Sequence, residues 1–376
     1  MRTKIGVIFG GRSGEHDISV RSAGTVIEAL DRDKYDVIPI AIGRDGKWLG
    51  PDEAKRLLKA SAGALISLEP ELEGSPEIGL IGNKKLDGLT LFHDSDPKPV
   101  QLNLDVVLPI LHGTFGEDGT IQGMLEMADL PYVGCGVLAS ACGMDKVIMK
   151  SLFREAGLPI CKYTWFLRSD WEASKAGVVE MVERSLGYPC FVKPANLGSS
   201  VGISKATDAA SLETAINLAA EYDRRIIVEE GLKMREIECA ILGNDNPEAS
   251  LPGEYVIKDK TKTFLDYTEK YSGTGNNEFV VPAPVSVELS NKIREMAIKA
   301  FRAIDGSGLA RVDFFLRADT GALLVNEINT MPGLTDASGY PKMWAGTGVS
   351  FSELLDRLIT LALDRHRDRE RNRTSK

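Results

Sequence analysis

Two short segments near the C-terminus, residues 310–316 and 323–333, carry polar side chains in sequences that otherwise predict buried strands. Alternate residues of a strand point to the same face, so each segment presents its polar residues together. These residues are Arg311, Asp313, Glu327 and Asn329. Two carboxylates and an amide are the oxygen ligands that Mg²⁺ takes in proteins, with its other positions left to water and substrate phosphates. The pattern predicts a divalent metal site, and a buried Arg311–Asp313 ion pair is the alternative.

A lysine at the end of a predicted strand precedes a loop that is rich in glycine and serine. Lys193 is followed by the sequence PANLGSSVGI in residues 194–203. Such a loop can point several backbone N–H groups at a phosphate. An ordinary hairpin turn has the same composition, because Gly and Ser are common in turns. No P-loop motif occurs, and the glycine loop at residues 10–14 does not fit G-x-G-x-x-G, so this nucleotide site would be of another kind.

Further charged residues stand where a nucleotide can be held. Lys146 lies in a predicted helix, and Glu229 ends a predicted strand whose exit leads to Glu236. Acidic residues at a strand exit can accept hydrogen bonds from an adenine amino group and from ribose hydroxyls. Solvated charge explains each of these residues when it is considered alone, because most charged side chains are exposed.

The elements that must position these residues begin with an open α/β pattern. A predicted strand over residues 4–9 leads into a glycine loop and then into a helix with apolar residues at helical spacing. Further strands are predicted at 37–42 and 106–111, and the second of these ends in another glycine-rich loop, 112–119. Such loops line the ligand crevice of an open α/β sheet. Between them, residues 44–100 are polar and are interpreted as a surface elaboration with weak strands.

After a change of composition at residues 134–136, strands and helices alternate. The predicted strands are 163–167, 189–194, 225–230, 237–242, 255–257, 309–316 and 323–328, and the predicted helices are 139–156, 290–305 and 351–364. The closing run 364–376 is charged and predicts a frayed, solvated helix end. The predicted domains are 1–134, 135–229 and 230–364, followed by a charged tail at 365–376.

The bulk composition is that of a globular protein with two or three domains, at 376 residues, 43% hydrophobic and 26% charged. A net charge of −9 disfavours a nucleic-acid partner and favours a small one. The five cysteines form no C-x-x-C pair and are expected to be free thiols in a reducing cytoplasm. The chain enters its first strand without a signal-peptide pattern, and its apolar runs are shorter than the roughly 20 residues that span a bilayer.

Taken together and in order, the motifs resemble those of the D-alanine:D-alanine ligases of the ATP-grasp superfamily. They stand at residues 10–15, 112–119, 144–146, 192–194, 198–202, 311–313 and 326–333, and so cover nearly the whole chain. The resemblance implies an α/β fold, α+β in the ATP-grasp part, with three domains and an N-terminal Rossmann-like open sheet. It also implies a cytoplasmic homodimer that ligates two D-alanines with ATP and two Mg²⁺ or Mn²⁺ ions, through an acyl phosphate, for peptidoglycan precursor synthesis.

The resemblance assigns residues to the cofactors. Lys146 and Lys193 would contact the phosphates of ATP, Glu229 and Leu232 the adenine region, and Glu236 the ribose, with Lys270 in the same site. Asp313, Glu327 and Asn329 would hold the metal ions. Gly231 stands where some relatives carry a large side chain against the adenine, so the base would be held by other groups.

The resemblance also assigns residues to the substrates. Glu15 would bind the ammonium group of the first D-alanine, Arg311 and the backbone N–H of Gly333 would stabilise the oxyanion, and Ser338 would contact the second carboxylate. A polar stretch at 259–277 is expected to be a lid, in which Tyr271 closes onto Ser199, linked to Glu15. His112 is a neighbour of the first substrate or a satisfied core histidine.

Tyr271 favours a dipeptide over a D-alanyl-D-lactate product. Gly339 replaces larger residues beside the serine of the second pocket and leaves its selectivity open. Another ATP-grasp ligase with a different acid and amine is the alternative enzyme, against which Glu15 and Tyr271 argue. An ATP-binding regulatory or scaffold protein is the alternative outside enzymes, since a fold alone does not set a function.

Overall fold

A computed structural model describes residues 2–63, 77–80, 89–93, 96–198, 201–257, 277–335 and 337–373. Ser199, Lys270 and Tyr271, together with nearly all of the predicted lid, lie outside the described residues.

The strands are β1 (Thr3–Gly10), β2 (Tyr35–Ile42), β3 (Trp48–Leu49), β4 (Glu77–Leu80), β5 (Leu89–His93), β6 (Asp96–Gln101), β7 (Val106–Ile110), β8 (Tyr163–Leu167), β9 (Cys190–Pro194), β10 (Ser204–Ala206), β11 (Arg225–Glu230), β12 (Met234–Gly243), β13 (Glu248–Ala249), β14 (Gly253–Ile257), β15 (Asn277–Val280), β16 (Gly308–Arg317) and β17 (Leu323–Asn329). The helices are α1 (His16–Ala29), α2 (Pro51–Gly63), α3 (Thr120–Met127), α4 (Val137–Met144), α5 (Lys146–Glu155), α6 (Arg168–Ala173), α7 (Lys175–Ser185), α8 (Ala209–Tyr222), α9 (Val287–Ala303), α10 (Gly339–Gly346) and α11 (Phe351–Arg369).

The N-terminal sheet has the strand order β6-β5-β4-β3-β2-β1-β7. Strand β1 pairs in parallel with β2 and β7, whereas the remaining pairs are antiparallel. The glycine loops that follow β1 and β7 therefore leave the same edge of the sheet. Gly10 and Gly11 have φ angles of 92° and 96°, which favour glycine. The weak strands expected within 44–100 are confirmed as β3 to β6, and helix α2 was not predicted.

The central sheet is antiparallel, with the order β10-β9-β11-β8. Its side chains form a core of their own with helices α6, α7 and α8, which includes Val192 and Ile226. The predicted strands 163–167 and 225–230 are confirmed, and the strand predicted from 189 begins at Cys190. The domain boundary predicted after residue 229 falls one residue before the end of β11, whose last residue is Glu230. This boundary and the other domain boundaries stay predictions.

The third sheet has the order β15-β14-β12-β16-β17, with β13 paired to β12. All its pairs are antiparallel. The strands predicted around 237–242, 255–257, 309–316 and 323–328 are confirmed, and each is longer than predicted. Helix α9 confirms the helix predicted over 290–305 but ends at Ala303, and α11 covers the helix predicted over 351–364.

The single helix predicted over 139–156 is wrong, because the chain forms α4 and α5 with a break at Asp145. This residue has φ −83° and ψ 103°, which is extended backbone, and its side chain caps the second helix. Its neighbour Lys146 donates its backbone N–H to the carbonyl oxygen of Ala195, in a distant segment. Local apolar spacing continues across this break, so the sequence pattern did not show it.

The C-terminal helix α11 continues to Arg369, beyond the end that the sequence predicted. Arg365 donates hydrogen bonds to the carbonyl oxygens of Tyr132 and Gly134, and Arg369 contacts Asp129. The start of the predicted tail is therefore packed against the N-terminal part of the molecule and is not a solvated end. Among the described helices, none is long and apolar enough to cross a membrane.

Candidate active site

The polar residues predicted for the metal site lie on the adjacent strands β16 and β17. The register pairs Asp313 with Glu327 and Arg311 with Asn329. Directly opposed residues of an antiparallel pair share a face, and so do residues two apart on one strand. The pairing is irregular after Asp313, where Asn326 is the extra residue of a β-bulge. The two strands bring all four predicted side chains to one face of the sheet.

The ion pair that was the alternative to a metal site is formed. The Arg311 guanidinium donates two hydrogen bonds to the Asp313 carboxylate, from Nε to Oδ1 at 2.7 Å and from Nη2 to Oδ2 at 2.6 Å. Burial raises the pKa of Asp313 to about 7, although the guanidinium acts in the opposite direction. Glu327 and Asn329 add further oxygen donors. The set fits a hard divalent cation, which would compete with Arg311 for Asp313.

Lys146 stands at the first residue of α5. The helix is capped by Asp145, whose Oδ1 accepts hydrogen bonds from two backbone N–H groups of the first turn at 3.0 and 3.1 Å. The Lys146 ammonium donates to the carbonyl oxygen of Leu197 at 2.6 Å, in the predicted phosphate loop. Burial lowers the pKa of Lys146, and the carboxylate of Glu327 opposes this shift. The capped helix therefore brings an ammonium group toward both the loop and the acidic face.

Lys193, on β9, belongs to a buried network that also contains Glu229 and Lys150. Lys193 Nζ donates to Glu229 Oε2 at 2.7 Å, and Lys150 Nζ lies 3.0 Å from Oε1 of the same carboxylate. Lys150 is 1% exposed and also donates to the carbonyl oxygen of Asn326 at 3.2 Å. Burial opposes ionisation of Glu229, but the two lysines hold its pKa at about 2. The network ties the central sheet to the bulge of β17.

The sequence prediction missed Lys150. This residue lies four positions after Lys146 on a helix, a spacing that places two side chains on one face. The signal was therefore present in the sequence, since the predicted helix 139–156 contains both lysines.

The structure constrains the predicted adenine contacts. The Glu229 carboxylate faces two lysines, so a contact between it and adenine would have to displace one of them. A Cβ placed on Gly231 would lie 2.6 Å from the carbonyl oxygen of Pro189, so a large side chain at this position is excluded. Leu232 is half-buried in the connection to β12. Glu236 lies opposite Phe315 on β16 and so shares the face of Asp313. Their contacts with ATP stay predictions.

The N-terminal glycine loop brings Glu15 to the loop that follows β9. The Ser13 hydroxyl donates to the carbonyl oxygen of His112 at 2.6 Å and accepts the backbone N–H of Glu15 at 3.2 Å. A Cβ placed on Gly198 would lie 3.5 Å from Glu15 Oε2. The predicted substrate carboxylate and the predicted phosphate loop therefore meet, although they belong to different sheets.

His112 is buried next to a second carboxylate, that of Glu117. His112 Nδ1 lies 3.6 Å from Glu117 Oε1, and Ser22 Oγ lies 3.4 Å from His112 Nε2. Burial opposes the charge of His112, but Glu117 raises its pKa, while burial raises the pKa of Glu117 itself. A Cβ placed on Gly198 would also lie 4.0 Å from Glu117 Oε2. Glu117 lies in the glycine-rich loop 112–119 but was not predicted as a site residue.

Gly333 and Ser338 lie between β17 and α10 and are in contact. A Cβ placed on Gly333 would lie 2.7 Å from Ser338 Oγ, so a side chain at position 333 would displace this hydroxyl. Ser338 Oγ also lies 2.7 Å from Thr335 Oγ1 and accepts the backbone N–H of Thr335 at 3.2 Å. The loop thus presents a fixed hydroxyl next to the glycine that was predicted to bind an oxyanion.

A further carboxylate, from Glu238 on β12, lies directly opposite Asp313 on the same face. Its Oε2 lies 3.4 Å from Arg311 Nε. A Cβ placed on Gly339 would lie 2.6 Å from the same oxygen. The prediction missed Glu238, although its spacing of two from Glu236 on a strand indicates a shared face.

Comparisons with known proteins agree with this geometry. The family models of the D-ala D-ala ligase N-terminus and C-terminus match residues 4–135 and 152–360. A D-alanine–D-alanine ligase of Heliobacterium modesticaldum is 48% identical over 377 residues, covering 100% of this chain and 99% of the relative. One from Bacillus licheniformis is 46% identical over 371 residues, covering 98% of each chain.

Solved structures give the same result. The D-alanine-D-alanine ligase from Coxiella burnetii has a TM-score of 0.81 at 34% identity, covering 98% of this chain and 97% of that one. The VanG D-Ala:D-Ser ligase from Enterococcus faecalis has a TM-score of 0.82 at 37% identity, covering 96% and 100%. The described site residues lie together, and the similarities extend over the full length of the chain. Both observations lead to one conclusion. This chain belongs to the D-alanine–D-alanine ligase family of the ATP-grasp fold.

Proposed function

We propose that this protein joins two D-alanines to D-alanyl-D-alanine with ATP, through D-alanyl phosphate, for peptidoglycan precursors. Family membership supports the use of ATP, a divalent metal and D-alanine. The observation that carries the proposal is the meeting of Glu15 with the loop at Gly198. It puts a carboxylate suited to a substrate ammonium beside groups suited to phosphate. An ATP-grasp ligase for an unrelated acid would share the lysines and the acidic face but would have no need of Glu15.

In the first step, a carboxylate oxygen of the first D-alanine attacks the γ-phosphorus of ATP, and ADP leaves. Glu15 binds the ammonium group of this substrate. Lys146 and Lys193 bind phosphate oxygens, while Leu232 and Glu236 hold the adenosine. Phosphoryl transfer needs alignment and charge stabilisation more than covalent help, and these residues supply both.

Asp313, Glu327 and Asn329 hold two Mg²⁺ or Mn²⁺ ions in this proposal. When bound, such cations neutralise and align the phosphate oxygens. The donor set contains only oxygen, which supports hard cations over metals that prefer nitrogen or sulfur. The bidentate pair with Arg311 offsets part of the cost of burying the Asp313 carboxylate.

In the second step, the ammonium group of the second D-alanine loses one proton to solvent, and its nitrogen attacks the carbonyl carbon of the acyl phosphate. The bond from this carbon to the phosphate oxygen breaks, and the leaving phosphate takes up the second proton from the nitrogen. Arg311 and the backbone N–H of Gly333 bind the oxyanion that forms. Ser338 binds the carboxylate of the second substrate. Tyr271, Ser199 and Lys270 complete the site, and Tyr271 favours an amino acid over D-lactate as the second substrate.

We also propose that the protein is a homodimer in the cytoplasm. Resemblance to the family supports the dimer. Sedimentation equilibrium tests it by measuring the mass of the protein in solution. The described structure holds five free cysteines, four of them buried, which supports a reducing compartment.

The experiment that tests the function is phosphate release from ATP and Mg²⁺ with D-alanine, L-alanine, or D-alanine plus D-lactate, with the products identified by mass. Turnover that requires D-alanine and yields its dipeptide is expected. D-lactate incorporation above D-alanine incorporation at neutral pH would contradict the dipeptide assignment. No turnover with any alanine, but ATP binding by calorimetry, would move the assignment to another acid and amine or to a binding protein.

A further inference from the structure

The site contains a buried carboxylate to which the proposed mechanism gives no role. Glu238 is 6% exposed, and its Oε2 has no hydrogen-bond partner within the described part of the chain. Arg311 Nε lies 3.4 Å away, but this N–H is donated to Asp313 at 2.7 Å. Buried polar atoms in native proteins almost always have a hydrogen-bond partner. An unfilled acceptor inside a ligand site therefore indicates a donor on the ligand.

The unfilled oxygen faces the second-substrate side of the site. A Cβ placed on Gly339 would lie 2.6 Å from Glu238 Oε2, and Gly339 directly follows Ser338. The same Cβ would lie 2.9 Å from Phe279 Cζ. The acceptor oxygen and the aromatic edge therefore pack directly against Gly339, the residue that follows Ser338, and an added side chain would displace them. The carboxylate oxygen suits the ammonium group of a small amino acid, and the Ser338 hydroxyl suits its carboxylate.

We propose that Glu238 binds the amino group of the second amino acid, an inference that rests on the proposed function. This substrate arrives as a zwitterion, so its ammonium group needs an acceptor once water has left the site. Both oxygens of Asp313 are occupied by Arg311, and Glu327 is assigned to the cations. Glu238 is the remaining carboxylate of the described acidic face that lies beside Gly339. Its role is to bind and orient the nitrogen.

The charge of Glu238 also distinguishes an amine from a hydroxyl. An ammonium group forms a charge-assisted hydrogen bond with a carboxylate, which is stronger than a neutral one. A hydroxy acid such as D-lactate offers no positive charge there, so it forms no such charge-assisted hydrogen bond with Glu238. The residue thus favours an amino acid as the nucleophile, independently of Tyr271.

The test is Glu238→Gln, which keeps the shape of the side chain and removes its charge. The Michaelis constant for the second D-alanine is expected to rise about 10- to 100-fold. Acyl phosphate formation is read separately by trapping it with hydroxylamine as D-alanine hydroxamate. Hydroxylamine is uncharged at neutral pH, so this rate is expected to stay within about twofold of the wild-type rate.

Two further variants keep the test decisive. Gly339→Ala retains the Glu238 carboxylate but displaces it. This substitution should therefore raise the Michaelis constant for the second D-alanine when Glu238 is present, and change it little when it is combined with Glu238→Gln. Glu254→Gln is the matched control, since Glu254 is a buried carboxylate on the neighbouring strand β14, with both oxygens bonded to Arg235. It should leave both Michaelis constants for D-alanine unchanged, even where it lowers the midpoint of thermal unfolding.

An unchanged second Michaelis constant in Glu238→Gln would overturn the inference. An equal loss of hydroxamate and dipeptide would also overturn it, because it would mean that Glu238 acts by positioning Arg311. If Glu238→Gln fails to fold, the effect of Gly339→Ala on the two Michaelis constants decides. A wild-type protein that forms no D-alanine hydroxamate would instead refute the proposed function itself.

Discussion

At the scale of single residues, the site is held by buried charges that share partners. Glu229 lies between Lys150 and Lys193, and the lysines outweigh the desolvation of the carboxylate. Removing one member of a buried ion pair costs about 3–5 kcal/mol, because the other charge stays buried without compensation. The network is therefore a stability element of the nucleotide site as well as a positioning one.

We expect Glu229→Gln to lower the free energy of unfolding at pH 7 by about 3 kcal/mol, since two buried lysines lose their counter-charge. The pKa of Glu229 is lowered from 4.5 to about 2 in the folded protein. Its contribution is therefore present above pH 4.5 and is lost as the pH falls toward 2. The midpoints of thermal unfolding of the variant and the wild type should converge over this range.

The control is Glu213→Gln, which removes the exposed partner of Lys175. Exposed ion pairs contribute about 0–1 kcal/mol to the free energy of unfolding. The midpoint of thermal unfolding of this variant should therefore stay close to that of the wild type at every pH. A gap between Glu229→Gln and the wild type that stays constant from pH 5 to about 2 would refute the assigned pKa.

At the scale of elements, the break between α4 and α5 decides where the first phosphate-binding lysine stands. Asp145 Oδ1 caps α5, and Oδ2 accepts a hydrogen bond from Arg225 Nη1 at 2.7 Å. Arg225 begins β11, so one carboxylate fixes both the start of the helix and its position on the central sheet. The first turn then directs Lys146 to the carbonyl oxygen of Leu197.

Asp145→Ala should destabilise the protein by about 1–2 kcal/mol, because it removes a cap. It should also raise the Michaelis constant for ATP by about fivefold or more, corresponding to about 1 kcal/mol of lost positioning. Steady-state kinetics with varied ATP measure this. Ser350→Ala, which removes the cap of α11, is the matched control and should leave the constant for ATP unchanged. Equal effects of the two variants on that constant would rule out a specific role for the break.

At the scale of the whole molecule, the N-terminal sheet and the C-terminal helices share one core. Val7 and Leu108 belong to the same hydrophobic cluster as Trp344 and Leu358, whereas the central sheet has its own cluster. Arg365 adds to this junction. Its guanidinium stacks on Tyr132 at 4.3 Å and donates to Ser307 Oγ at 2.7 Å and to two backbone carbonyls. The junction fixes the loop of Glu15 relative to the strand of Arg311.

Arg365→Ala is expected to raise the Michaelis constant for the first D-alanine about fivefold or more. The Michaelis constant for ATP should change less, because none of the residues proposed to bind ATP belongs to the N-terminal sheet. Hydrogen exchange of residues 131–136 should become faster, since hydrogen bonds to a charged group contribute about 1.5–3 kcal/mol each. Arg357→Ala is the control on the same helix, where the arginine pairs with the exposed carboxylate of Glu248. A larger effect on ATP than on D-alanine would contradict this coupling.

The sequence by itself determined the strands of the site and the face that each polar residue occupies. A period of two is a local property, so Arg311 and Asp313 were assigned to one face of their strand, and Glu327 and Asn329 to one face of theirs, before any packing was known. The register that sets these two pairs opposite each other came from the structure. The ordered motifs also determined the family. Residues of the lid, such as Tyr271, lie outside the described part and stay predictions.

Only the tertiary structure decided which distant groups meet. The break at Asp145, the contact of Lys150 with Glu229 and the approach of Glu238 to Gly339 each join segments far apart in the chain. Local periodicity describes neighbours along one element and contains no information on how two elements pack. The energy of a buried charge depends on those packed neighbours, so these roles could be assigned only after the sheets had been placed together.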